Sequence, residues 1–197
     1  MSRVGLFGGS FDPVHNAHVA LAKVALETLS LDELRWIPAG RPWQKARVLA
    51  EPSHREAMVR LAIAGEPRFV LERCELRREG ASYTLDTVRE LQAAQPGHEW
   101  VLLIGQDQYA GLHTWRDWRE LLQRVTLAVA NRPGVTPQPH PDVAKAPHTM
   151  IPLPMMDVSS TVIRDRIARG EAVTDLVPPA VASYIDQHRL YRGTARS

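Results

Sequence analysis

The opening of the chain restricts its architecture more than any other stretch. Val4 to Phe7 is a short apolar run that ends in Gly8-Gly9, and Val19, Leu21, Ala22, Ala25, Leu26 and Leu29 then recur at helical spacing. This is a strand, a tight turn and a helix, the first half of a crossover that returns the chain parallel to its start. The pattern repeats. Strand-like runs at Glu33 to Ile37 and Arg68 to Glu72 precede helical patterns or follow them, with Ser53 and Glu56 at capping-box spacing before a helix through Met58, Leu61 and Ala62. Trp100 to Ile104 and Thr126 to Ala130 are continuously apolar, as strands covered on both faces are. Helices are predicted from Thr84 to Gln95, over Trp115 to Gln123, from Ser160 to Ala168 and from Pro179 to His188. Strands alternating with helices imply parallel pairing and right-handed crossovers: a Rossmann-like, doubly wound α/β sheet in a three-layer αβα sandwich with small C-terminal helices.

At 197 residues with 44% hydrophobic content, the chain suits a single domain, 1–197, in which roughly 155–197 is a C-terminal helical part. Pro133, Pro137, Pro139, Pro141, Pro147, Pro152 and Pro154 mark a surface excursion between the fifth strand and that part. No apolar run approaches the roughly 20 residues of a membrane helix. A net charge of +2 is too small for a generally basic surface, so neither a membrane nor a nucleic acid is the expected partner. Cys74 is the only cysteine and cannot form an internal disulfide, which points to the cytoplasm, and the composition leaves self-association open.

In doubly wound sheets ligands sit at the carboxyl ends of the strands. The segment after the first strand is Gly5 to His18, GLFGGSFDPVHNAH. Gly8 and Gly9 let the backbone approach a ligand, the following helix points its positive end into the same space, and His15 and His18 supply ring donors for phosphate oxygens. A dinucleotide-binding dehydrogenase would need G-x-G-x-x-G and an acidic residue after the second strand, whereas the glycines fall at 5, 8 and 9 and that strand ends at Ile37-Pro38. Asp12, His15 and His18 are metal-ligand types, but no fourth ligand accompanies them. Far downstream, Ser159, Ser160, Thr161 and Arg164 form a second hydroxyl-rich helix start with a basic residue one turn on.

Gly9, Phe11, Pro13, His15 and His18 match the G-x-F-x-P-x-H-x-x-H mark of a nucleotidyltransferase superfamily, and VSSTVIR resembles its second mark. Over nearly its whole length the chain is similar to bacterial nicotinate mononucleotide adenylyltransferases, through Ile37 to Lys45, Ser82 to Thr87, Ile104 to Gln108, Thr114-Trp115, Asn131 to Gly134 and Tyr184 to Arg192. It departs from them at Trp43-Gln44, where Pro-His is usual. The resemblance implies transfer of AMP from ATP to nicotinate mononucleotide, with Mg2+ carried by the ATP phosphates and no metal ligand from the protein. It places His15 and His18 on the ATP phosphates, His18 at the α-phosphoryl charge, and Arg164 beside Ser159, Ser160 and Thr161 on the β- and γ-phosphates. Gly8, Gly9, Ser10 and Phe11 would shape the loop, and Gly105, Asp107 and Arg132 would border the nucleoside, with Asp107 on a ribose hydroxyl. Lys45 would guide the attacking phosphate, and Tyr83, Thr84 and Trp115 would receive the pyridine ring and its carboxylate. Related adenylyltransferases acting on nicotinamide mononucleotide or phosphopantetheine, and a nucleotide-binding module without turnover, are the alternatives.

Overall fold

The structure, a computed structural model, describes residues 1–41, 47–153 and 155–193. In chain order it runs β1 (Arg3–Gly9), α1 (Asn16–Thr28), β2 (Glu33–Pro38), α2 (Pro52–Ile63), β3 (Phe69–Leu71), α3 (Cys74–Arg77), α4 (Thr84–Ala94) and β4 (Glu99–Gly105). There follow α5 (Gln106–Ala110), a 3-10 turn at Leu112–Thr114, α6 (Trp118–Arg124), β5 (Thr126–Asn131), α7 (Pro141–Ala144), β6 (His148–Pro152), α8 (Ser160–Ala168) and α9 (Pro179–Gln187).

The six strands form one sheet in the order β3-β2-β1-β4-β5-β6, and every pair is parallel. Strand order reverses between β1 and β4, so a crevice opens outside their carboxyl ends at Gly9 and Gly105. Each face of the sheet buries its own apolar layer. Phe7, Trp36, Leu26, Met58 and Ile163 belong to one, and Val4, Leu102, Val88, Tyr109 and Leu127 to the other. The α8–α9 segment packs into the first layer through Ile163, Val181 and Ile185, so the C-terminal part shares the core of the sheet.

Three expectations change. The proline-rich excursion contains an edge strand, β6, bounded by Pro147 and ending on Pro152; an edge strand needs backbone donors on one side only, which is where proline is tolerated. The helix expected over Trp115 to Gln123 begins only at Trp118, with Trp115 in extended backbone after the 3-10 turn. The helix at Met58 is not opened by a Ser53–Glu56 capping box: its N-cap is Glu51 with Pro52 at the first helical position, and Glu56 pairs instead with Arg60 and Arg73.

Candidate active site

Two cavities meet across the crevice. The first, about 230 Å3, is lined by Gly8, Gly9 and Ser10 from β1 and its loop, Ala39 beyond β2, Thr84, Thr87 and Val88 of α4, and Ile104 and Trp115. The second, about 690 Å3, lies on the other side of β1 and is lined by His15, His18, Arg132, Pro133, Asp157 and Val158. Gly8 and Gln108 line both. Gln108 is held in place by its own turn, because its Oε1 accepts the Gly105 amide hydrogen (3.0 Å).

The histidine pair is built by the helix start. His15 is the N-cap residue of α1, and the Nδ1 of His18 accepts its backbone N–H (3.1 Å). An Nδ1 that accepts leaves Nε2 as the donor of the His18 ring. The rings of His15 and His18 stack with centroids 3.6 Å apart, and the Phe11 ring meets His18 edge-on at 5.1 Å. Phe11 itself is buried with φ +48°, and its ring would lie only 3.2 Å from a Cβ at position 9, so a side chain there would crowd this aromatic.

His15 is 7% exposed, and burial pushes its pKa down to about 4. The imidazole is therefore neutral at pH 7. Because the folded value lies below the ordinary 6.5, the unfolded chain binds the proton first as pH falls, and stability declines between about pH 6.5 and 4. The loss amounts to roughly 3 kcal/mol at most. Denaturation of the wild type and of His15→Asn across that window measures it: the wild type should lose the extra stability, and equal slopes would mean that His15 titrates as an exposed ring.

Behind the loop between β1 and α1 lies a polar cluster. The Asp12 carboxylate is fully buried and accepts from Arg47 Nη1 (2.5 Å), the Tyr191 hydroxyl (2.6 Å) and the Ala50 amide (3.2 Å). Arg55, 1% exposed, donates to the carbonyls of Ser10 (3.0 Å), Ala39, Gly40 (3.2 Å) and Ala50 (2.9 Å). Asp12 is thus committed to structure. Among the described residues no group of three or more His, Cys, Asp and Glu side chains is placed to hold a metal ion, and the Asp12–His15–His18 alternative is not assembled.

The second motif docks on the same loop from outside. The Ser160 hydroxyl donates to Pro13 O (2.9 Å), and Arg164 Nη1 donates to Asp12 O (2.8 Å) while Nη2 reaches Thr161 Oγ1 (3.2 Å). Ser159 caps α8 by accepting the Val162 amide (3.2 Å). Among the described residues lining the cavities, none of these four appears; Asp157 and Val158, just upstream, line the second. Asp107 likewise lines neither cavity and lies exposed on α5, whereas its neighbour Gln108, to which the sequence assigns no role, lines both. Arg132 reaches the second cavity, its backbone amide fastened to Gln106 Oε1 (3.0 Å). Thr84 and Trp115 line the first cavity, while Tyr83 is beneath the Arg116 guanidinium (4.8 Å) and outside the lining. Lys45 falls outside the described residues.

Sheet order, crevice and histidine-bearing loop define an α/β protein of the nucleotide-binding kind, with two adjoining cavities at the carboxyl ends of its strands. A model of the cytidylyltransferase-like family matches residues 6–166, and the chain belongs to that family. Among curated relatives, a protein of Methylibium petroleiphilum named "Probable nicotinate-nucleotide adenylyltransferase" is 53% identical over 195 residues, covering 96% of this chain and 92% of the relative. One of the same name from Bordetella pertussis is 45% identical over 198 residues, covering 98% and 99%. Among solved structures, the Plasmodium falciparum nicotinic acid mononucleotide adenylyltransferase complexed with NaAD superposes with TM-score 0.80 at 18% identity, over 97% of this chain and 98% of that one.

Proposed function

We propose that the protein transfers AMP from ATP to nicotinate mononucleotide, giving nicotinate adenine dinucleotide and pyrophosphate. The observation that carries this reading is the pair of cavities joined at Gly8 and Gln108: one holds histidine donors for a polyphosphate, the other an aromatic wall and a helix N-terminus for a pyridine acid. The names of the relatives support the same substrate pair.

The nucleophile is the acceptor's 5′-phosphate, already an anion, so the protein contributes position and charge neutralisation rather than a base. His18 donates through Nε2 to the α-phosphoryl oxygens, where charge develops, and neutral His15 donates beside it. Gly8 and Gly9 admit the phosphates close to the backbone. Magnesium would be held by the ATP phosphates, since no group of three or more acidic, histidine or cysteine side chains among the described residues is placed to bind it, and would supply charge neutralisation there. Ser160 and Arg164 hold the Asp12-Pro13 backbone, and the first turn of α8 at Ser159 and Thr161, just beyond the cavity lining at Val158, would receive the β- and γ-phosphates. Lys45 guides the attacking phosphate, and Arg132 borders the nucleoside.

The acceptor's carboxylate meets the free amides at the start of α4 and the Thr84 hydroxyl, with the ring against Trp115. Nicotinamide would turn an NH2 donor toward those same donors. One such mismatch costs about 1 to 3 kcal/mol, so kcat/KM for the acid should exceed that for the amide by roughly tenfold to a hundredfold. Dinucleotide formation and pyrophosphate release from ATP with each mononucleotide, and with phosphopantetheine, test both the reaction and the preference. Turnover of phosphopantetheine alone would overturn the assignment.

A further inference from the structure

The acceptor cavity has a carboxyl group in its wall. Glu75, in α3, lines it together with Ser82, Thr84 and Thr87. The close packing of the 39–41 segment on α3 places it there: a Cβ at Gly40 would lie 2.2 Å from the Glu75 carbonyl oxygen. Glu75 Oε1 accepts the Thr87 hydroxyl hydrogen (2.7 Å), and Thr87 Oγ1 in turn accepts from Arg78 Nη1 (3.1 Å), whose Nη2 is paired with Glu90 (2.7 Å). No described residue donates to Oε2. Nearby, the Ser82 Oγ is buried without a hydrogen-bond partner although it lines the same cavity.

The lining is mixed in chemistry, combining the apolar Val88, Ile104 and Trp115 with the polar Glu75, Ser82 and Thr84. Gly8 and Gln108 also line the histidine compartment, so an acceptor's phosphate belongs at that boundary and its ring among the remaining lining residues. If the acceptor is a pyridine carboxylate, as proposed above, an ionised Glu75 would oppose it with like charge, whereas a protonated Glu75 would offer a donor.

On that functional reading, we propose that Glu75 is a specificity-determining residue that reads the substituent of the acceptor ring, donating from its Oε2–H to a carboxylate when protonated and disfavouring it when ionised. Ser82 Oγ supplies a second donor to the same group. The charged groups acting on Glu75 among the described residues are Arg78 and Glu90, and they oppose one another. Burial raises the Glu75 carboxyl above the usual carboxylate range, and a bound carboxylate would raise it further.

The ratio of kcat/KM for nicotinate and nicotinamide mononucleotides isolates this group, because ionisations of ATP, the acceptor phosphate and shared catalytic residues cancel. In the wild type the acid-to-amide ratio should fall as pH rises through the Glu75 pKa, by up to about tenfold per pH unit beyond it. Glu75→Gln keeps a donor that cannot ionise, so its ratio should stay flat with pH. Thr87→Val removes the hydroxyl that stabilises the ionised form and should move the fall to higher pH. Calorimetry of nicotinate mononucleotide binding in buffers of different ionisation enthalpy gives a readout independent of turnover: proton uptake in the wild type at the upper end of the range, none in Glu75→Gln. The same pH course of the ratio in wild type and Glu75→Gln, or equal proton uptake, would overturn the proposal. Absence of turnover with either mononucleotide would instead overturn the adenylyl-transfer reading, and the proton-uptake comparison would still decide the role of Glu75.

Discussion

His18→Ala should lower kcat about 10²- to 10³-fold while leaving the KM for ATP within a few-fold of wild type. The size follows from how the ring is held. Its Nδ1 is occupied by the His15 amide, and the ring is packed against His15 at 3.6 Å and Phe11 at 5.1 Å, so in the proposed reaction Nε2 is a donor that needs no reorganisation as charge builds on the α-phosphoryl oxygens. Removal also strips the His15 amide of its acceptor, a loss of the helix-capping kind that costs about 1 kcal/mol. His18→Asn separates the two effects, since the shorter amide can accept that N–H without reaching the Nε2 position. Stability should recover and kcat should not. Steady-state pyrophosphate release together with thermal denaturation of both variants reads the two quantities, and an unchanged kcat in His18→Ala would take this residue out of the chemistry.

Arg55→Leu should destabilise the fold by about 3 to 5 kcal/mol. Few side chains here are so fully committed: one guanidinium, 1% exposed, supplies hydrogen bonds to the carbonyls of Ser10, Ala39, Gly40 and Ala50. These belong to two loops that approach the crevice from different strands. A leucine fills part of the volume and leaves all four acceptors unpaired, besides withdrawing a cation from the neighbourhood of the Asp12 carboxylate. Arg55→Lys should recover only part of the loss, because a point ammonium lacks the fork that spans the two loops. Urea denaturation measures the difference, and a change below about 1 kcal/mol would mean that water replaces the guanidinium at every carbonyl.

Periodicity disclosed most of the frame in the sequence, since β1, β2, β4 and β5 are apolar runs bounded by glycine, proline or polar turns, and α8 spans Ser160–Ala168 as its spacing suggests. β6 stayed hidden because Pro147 and Pro152 frame it and its burial is one-sided, leaving no alternation to detect. In the site, glycine, histidine and hydroxyl clusters stood out because few alternatives explain them together. Gln108 did not, for a glutamine acquires meaning only from the turn that aims it between two strand ends. Glu75 was obscured by its surroundings: ERCELRREG reads as a solvated charge run until α3 folds against residues 39–41. The spacing of Ser160 and Arg164 puts them on one helix face, yet their hydrogen bonds run to the Asp12-Pro13 backbone, a contact across roughly 150 positions that local pattern cannot reveal.

The two cavities share Gly8 and Gln108 in their linings. Once the phosphates are joined, two separate guests become a single tethered one, and release of either half is followed by recapture at an effective concentration set by the short pyrophosphate bridge. If the two halves occupy the two cavities as proposed, a dinucleotide should stay longer than either mononucleotide alone, and departure of the product should act as a brake on the cycle. The same geometry favours bidentate inhibitors, in which a modest group for each compartment, linked past Gly8, gains avidity that neither half possesses.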